Sequence, residues 1–135
     1  MLSRAYEADA EAVAIKTCYE LKEKGIDKPL ERISYLSGMM RNVFEENAVK
    51  NGSQSSEALT KTFKAWYNNN DAVNFYERTI IYSHFRDILD YEPRKLKNFK
   101  LERDLSAQEA VNIVCHTPND NKSYFNDSPE ILETR

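Results

Sequence analysis

The sequence predicts an all-α protein: a single small bundle of four to five helices followed by a polar C-terminal tail. Apolar residues recur at steps of three and four along several segments, which is the period of a helix with one buried face. Residues that typically begin or end helices separate these segments. The 135 residues include only three glycines and four prolines, too few for the many tight turns of a β-sandwich or barrel.

The first predicted helix runs from about Ser3 to Lys24. Ser3 is a suitable N-cap residue, and acidic residues follow in the first turns, where the helix dipole favours negative charge. Gly25 supplies the left-handed conformation that commonly ends a helix. The stripe that we expect to face the core consists of Tyr6, Ala10, Val13, Thr17 and Leu21, widened by Ile15 and Tyr19.

A second helix begins with Asp27 as the cap and Pro29 in the first turn, and it continues to the Asn51-Gly52 pair. Gly38 lies in its interior, where glycine costs about 1 kcal/mol relative to alanine. We therefore expect another helix backbone to approach closely at that point. The expected inner side consists of Leu30, Ile33, Ser37, Met40, Phe44 and Ala48, with Leu36, Met39 and Val43 beside them.

The segment NGSQSS is a flexible connection to a third helix, from about Ser56 to Asn68. A fourth helix begins at an Asp71 cap and reaches Tyr91, since Pro93 disfavours helical geometry in the residue before it. The inward side of the third helix consists of Leu59, Phe63, Trp66 and Tyr67.

Ser106 and Glu109 have the spacing of a capping box, in which each side chain satisfies the other residue's backbone N–H. They predict a fifth helix that ends near Pro118. We assign residues 1–116 to an α-helical domain and residues 117–135 to a polar, flexible tail. Two apolar pairs in the tail, Tyr124-Phe125 and Ile131-Leu132, are able to dock on the body or on a partner.

Cysteine and histidine content argues against a metal site. The sequence has two cysteines and two histidines, with no CxxC and no HxxxH spacing, and three glycines cannot build a nucleotide-binding loop. We therefore predict no metal and no cofactor. The two cysteines lie in apolar helical patterns, which favours buried free thiols and a reducing compartment.

The sequence also predicts a cytoplasmic protein without a membrane segment. No run approaches the roughly 18 consecutive apolar residues of a membrane-spanning helix. The first residues, MLSRAYEADAEAV, turn acidic at once and lack the apolar core of a signal peptide.

The leading functional hypothesis is a small non-enzymatic regulator, inhibitor or adaptor that binds a protein partner through apolar and aromatic helix faces. No catalytic constellation is complete, and apolar stripes wider than a small bundle needs are expected to require another chain to cover them. A homodimer is one such arrangement. The expected contact residues are Met39, Met40, Trp66 and Tyr67, although packing in the core is the alternative role for each.

Nucleic-acid binding is the first alternative. Residues 93–103 hold five basic residues against one acidic residue in a chain of net charge −3. Basic side chains neutralise phosphates, and an aromatic ring among them is able to stack on a base. The acidic tail is a competing internal partner for the same charges. The residues concerned are Arg94, Lys95, Lys97, Phe99, Lys100 and Arg103.

A ribonuclease is the second alternative, carried by Arg78 and His84. Arginine followed six positions later by histidine, in a small all-α protein, resembles the HEPN ribonucleases. The resemblance covers seven residues, and it implies that the two side chains of paired protomers would meet and cleave RNA. The competing interpretation places His84 in the apolar sector of a helix, between isoleucines four residues away on either side, as a core residue.

Overall fold

A computed structural model describes residues 2–33, 35–83, 86, 105–116 and 122–133. Over these residues the chain is helical and has no β-strand, so the predicted all-α bundle is confirmed. The elements, in chain order, are α1 (Leu2–Glu23), α2 (Lys28–Glu31), α3 (Tyr35–Asn51), α4 (Ser56–Asn68), α5 (Asn70–Tyr76), a π-helical segment (Glu77–Ile81), α6 (Ala107–Val114) and a 3₁₀ turn (Pro129–Glu133).

The first helix buries small residues rather than its largest apolar ones. The predicted stripe is wrong at Tyr6, which is 52% exposed, and at Ala10 and Thr17, which are also exposed. Ile15 is buried as the sequence predicts, and Tyr19 packs against the core. Both α4 and α6 contact α1, and alanine side chains allow neighbouring helices to approach closely. The helix also begins at Leu2, so Ser3 lies inside the first turn and does not cap it. The buried face consists of Ala5, Ala8, Ala12 and Ile15.

Gly25 ends α1 as the sequence predicts. Its φ of 84° is left-handed, and its N–H donates to the Lys22 carbonyl at 2.9 Å. The N–H of Ile26 donates to the Leu21 carbonyl, also at 2.9 Å. These two bonds form a Schellman motif, which satisfies carbonyls at the helix end.

The predicted second helix is divided in two, which corrects the expectation of one continuous helix. The short α2 ends at Glu31, and α3 begins at Tyr35. Leu30 is buried, but it does not belong to the main core cluster. We attribute the division to packing: α2 lies against α1 at this separate apolar site, whereas α3 turns to face α1 and α4. The inner side of α3 includes Met40, Phe44 and Ala48, as the sequence predicts.

The central element of the bundle is α4. It contacts α1, α3, α5 and the 3₁₀ turn, and eight of its thirteen residues are buried. Its N-cap is Ser55, whose hydroxyl accepts from the Glu57 N–H. The hydroxyl of the fully buried Thr62 donates to the Ala58 carbonyl at 2.7 Å, so this polar group has a partner inside the apolar core.

The fourth predicted helix begins slightly earlier than expected. Asn69, not Asp71, is the N-cap, and its side chain accepts from the N–H groups of Asp71 and Ala72. After α5 the helix continues directly as the π-helical segment. His84 and the whole basic stretch from Arg94 to Arg103 lie outside the described residues.

The capping box of Ser106 and Glu109 is present at the start of α6. Residues 122–133, which we call the C-terminal strap, do not form the flexible tail that the sequence suggests. Tyr124 and Leu132 are buried, and the Tyr124 N–H donates to the Cys115 carbonyl at 2.9 Å. The strap therefore completes the core over α4 and α6.

Candidate interaction surface

Three of the four expected contact residues lie in the core of the described structure. Met40 is 1% exposed, Trp66 2% and Tyr67 8%. These side chains do not present a surface to a partner, which corrects our assignment of them as contact residues. Met39 is 44% exposed and remains available.

The buried aromatic residues hold elements of this chain together. The Trp66 ring packs edge-on against Tyr76 of α5, with centroids 5.9 Å apart. The Phe63 ring packs edge-on against Phe125 of the strap at 5.3 Å. Such pairs are worth about 0.5–1.5 kcal/mol beyond the area they bury. The sequence shows which residues share a helix face, but only packing shows that the face belongs to the interior.

A polar cluster joins α1, the end of α6 and the strap. The Tyr124 hydroxyl donates to Asp9 Oδ1 at 2.6 Å. Burial raises the pKa of Asp9 above its ordinary value of 3.8, although the bond from Tyr124 and the nearby His116 act in the opposite direction. No local pattern in the sequence indicates this pair, because its two residues lie far apart in the chain.

Cys115 lies beside this cluster and is fully buried. Burial raises the pKa of its thiol to about 12, even though a hydrogen bond with Tyr124 lowers it. The thiolate is the nucleophilic form of cysteine, so this group is inert at neutral pH. The adjacent His116 donates from Nε2 to the Asn112 carbonyl, 2.6 Å away.

Two buried polar atoms in the same region have no partner among the described residues: the Tyr67 hydroxyl and Nδ1 of His116. An unmade hydrogen bond at a buried group costs about 1–3 kcal/mol. Burial also raises the pKa of Tyr67, so this group stays neutral.

The two residues of the ribonuclease hypothesis are not both described. Arg78 is exposed and lies in the π-helical segment, next to Glu77, which pairs with Arg4 of α1. π-Helical turns are frequent at functional sites, but Arg78 is the only member of the pair whose position is described. The ribonuclease and nucleic-acid hypotheses both remain predictions.

Within the described part of the chain, no group of three His, Cys, Asp or Glu residues is positioned to hold a metal ion. A depression of about 130 Å³ lies between α1, α2 and α3. This volume is below the roughly 300–1,000 Å³ of typical ligand sites. Its two cationic residues, Lys22 and Arg41, both pair with Glu45, at 3.0 and 3.1 Å.

The outward face of α3 is a described surface that combines exposed apolar and polar side chains. Successive residues of a helix turn by about 100°, so Gly38, Asn42 and Val49 lie within about 40° of one another. Glu46 and Met39 lie beside them, on the side away from the core. Val49 is 78% exposed and Met39 44%. Asn42 and Glu46 are also exposed.

Comparison with known protein families gives a match over most of the chain. Residues 1–124, from α1 to Tyr124 of the strap, match the model of a family described as "Putative metallopeptidase family (DUF6782)". No curated protein and no solved structure matches the chain. Among the described helices, none combines the length and the apolar character needed to cross a membrane.

Proposed function

The chain belongs to the DUF6782 family, whose model matches residues 1–124, and we propose from its own side chains that it binds a protein partner without catalysing a reaction. The protein would act as a regulator, inhibitor or adaptor. The proposal includes action in a reducing compartment such as the cytoplasm, which agrees with the free thiols of Cys18 and Cys115.

The residues of this chain do not fit the zinc site of a typical metallopeptidase. Such sites commonly use two histidines one helical turn apart, in the pattern HExxH, with a third ligand elsewhere. His84 and His116 are the only histidines, and no HxxxH spacing occurs in the sequence. The described residues also lack a three-ligand group. We therefore assign no metal-dependent step to them.

The observation that carries the proposal is the composition of the outward face of α3. Met39 and Val49 expose apolar side chains ten residues apart on one helix, with the polar Asn42 and Glu46 between them. Apolar anchors beside polar groups that fix orientation are the usual elements of a protein-binding surface. The proposed contact residues are therefore Met39 and Val49.

Affinity capture from a lysate of the native source tests this proposal. We expect wild-type protein to retain a specific partner that the double variant Met39→Asp/Val49→Asp loses. The matched control is Ile113→Asp, because Ile113 is a similarly apolar residue, 49% exposed, on α6. Equal capture by the double variant and the control would contradict the assignment of this face.

A peptidase assay tests the non-enzymatic part. The purified chain is incubated with an unfolded protein substrate and Zn²⁺, and fragments are followed by mass spectrometry. We expect no cleavage above that of a Zn²⁺-only sample. Cleavage that a chelator abolishes and that co-purifies with the chain would overturn the proposal.

A further inference from the structure

Gly38 is unexplained by the packing within the described chain. It lies inside α3, where glycine costs about 1 kcal/mol relative to alanine. Its φ is not in the left-handed region, unlike those of Gly25 and Gly52. A Cβ added at Gly38 would meet no described atom within 4 Å. The close approach of another helix that the sequence suggests is therefore not provided by the described part of this chain.

Four exposed residues of α3 are arranged symmetrically about the level of Phe44. Met39 and Val49 each lie five residues from it, and Asn42 and Glu46 each lie two residues from it. Gly38 and Lys50 are each six residues away. Two copies of α3 packed antiparallel about a two-fold axis at this level would bring the members of each pair to the same height.

We propose that α3 pairs antiparallel with α3 of a second copy of this chain, an inference that rests on the protein-binding function proposed above. Met39 then packs beside Val49 of the partner subunit. The Asn42 amide lies at the level of the carboxylate of Glu46 of the partner subunit. Gly38 leaves room for Lys50 of the partner subunit. The apolar residues thus meet each other, and an amide donor meets a carboxylate.

Electrostatics favours this orientation over a parallel one. A parallel pair would bring each Glu46 to the level of the other Glu46 and each Lys50 to that of the other Lys50, and like charges in an interface are destabilising. In the antiparallel pair neither charge meets its own kind. A single helix-to-helix contact is smaller than the roughly 1,200–2,000 Å² of stable interfaces, so the dimer is weak and depends on concentration.

Sedimentation velocity over a range of protein concentrations tests the dimer. We expect wild type to self-associate, and Asn42→Asp to raise the dissociation constant at least tenfold by facing Glu46 of the partner subunit. Asn42→Lys should lower it. Ile113→Asp should leave it unchanged, because this residue lies on α6. Circular dichroism verifies that each variant is folded.

Disulfide trapping tests the register. In a Cys18→Ser background, a Met39→Cys chain is mixed with a Val49→Cys chain under mild oxidation. We expect the mixed dimer to form faster than either homodimer, whereas a parallel pair would favour the homodimers. A wild type that stays monomeric at every concentration, or Asn42 variants that shift association in the same direction, would overturn the proposal.

The two proposals fail differently. If the chain stays monomeric but captures a partner in a way that depends on Met39 and Val49, the protein-binding function is supported and the dimer is contradicted. If the double variant Met39→Asp/Val49→Asp still self-associates, the antiparallel pairing of α3 is contradicted.

Discussion

The contact between Tyr124 and Asp9 shows how one hydrogen bond connects distant parts of this chain. The hydroxyl donates to Asp9 Oδ1 at 2.6 Å, and Tyr124 is 5% exposed. Asp9 is half-buried, and a carboxylate taken partly out of water is costly unless hydrogen bonds compensate it. The bond therefore both compensates the charge of Asp9 and fixes the strap against α1.

Removing the Tyr124 hydroxyl should destabilise the protein. We expect Tyr124→Phe to lower the free energy of unfolding by about 1–3 kcal/mol at neutral pH, since Asp9 loses its donor inside the protein. In an Asp9→Asn background the same change should cost less, because no charge remains at this half-buried position. Urea denaturation of the four proteins measures both values, and equal costs in the two backgrounds would contradict this coupling.

The pH dependence of stability has a definite sign at Asp9. Its pKa is raised in the folded state, mainly by burial. The contribution of Asp9 to the free energy of unfolding is therefore fully present below the ordinary pKa of 3.8. It is lost as the pH rises through the raised pKa of the folded state. Asp9→Asn should remove that loss and be at least as stable as wild type at neutral pH. Asp127→Asn is the control, because the hydrogen bond from Lys64 lowers the pKa of Asp127, so this variant should lose rather than gain stability at neutral pH.

At the scale of elements, helix ends were predictable where their signals are local. Gly25 ends α1, and Ser106 with Glu109 begins α6, through bonds that span only a few residues. The choice of buried face was less predictable. In α1 the alanines face inward and Tyr6 does not, because the close approach of α4 and α6 favours small side chains.

The glycine inside α3 gives a test at this scale. A Cβ at Gly38 would meet no described atom within 4 Å, so Gly38→Ala should stabilise the dilute protein by about 0.5–1 kcal/mol through helix propensity alone. Thermal unfolding at low concentration measures this gain. A lower melting temperature at every concentration would show that the site is crowded within a single chain.

At the scale of the whole molecule, α4 and the strap make the core continuous. The Thr60 hydroxyl donates to the Tyr124 carbonyl at 3.0 Å and accepts from the Asn126 N–H at 3.2 Å. The strap buries Leu132 and covers Phe63 with Phe125. It should therefore unfold together with the helices rather than separately.

Thiol labelling tests whether the strap unfolds together with the helices. Cys115 is fully buried with a pKa raised to about 12, whereas Cys18 is only partly buried. In a Cys18→Ser variant, we expect Cys115 to react with a thiol reagent only at the rate of global unfolding. Labelling that is fast in native buffer and unaffected by denaturant would mean that the strap opens independently.

The sequence by itself determined the all-α class, the ends of several helices and the absence of a paired-histidine zinc motif. These properties depend on composition and on contacts within a few residues. Only the tertiary structure decided that Met40, Trp66 and Tyr67 are interior, that Asp9 meets Tyr124, and that the strap docks. Those outcomes depend on which helix faces come together, and periodicity along one helix carries no information about its neighbours.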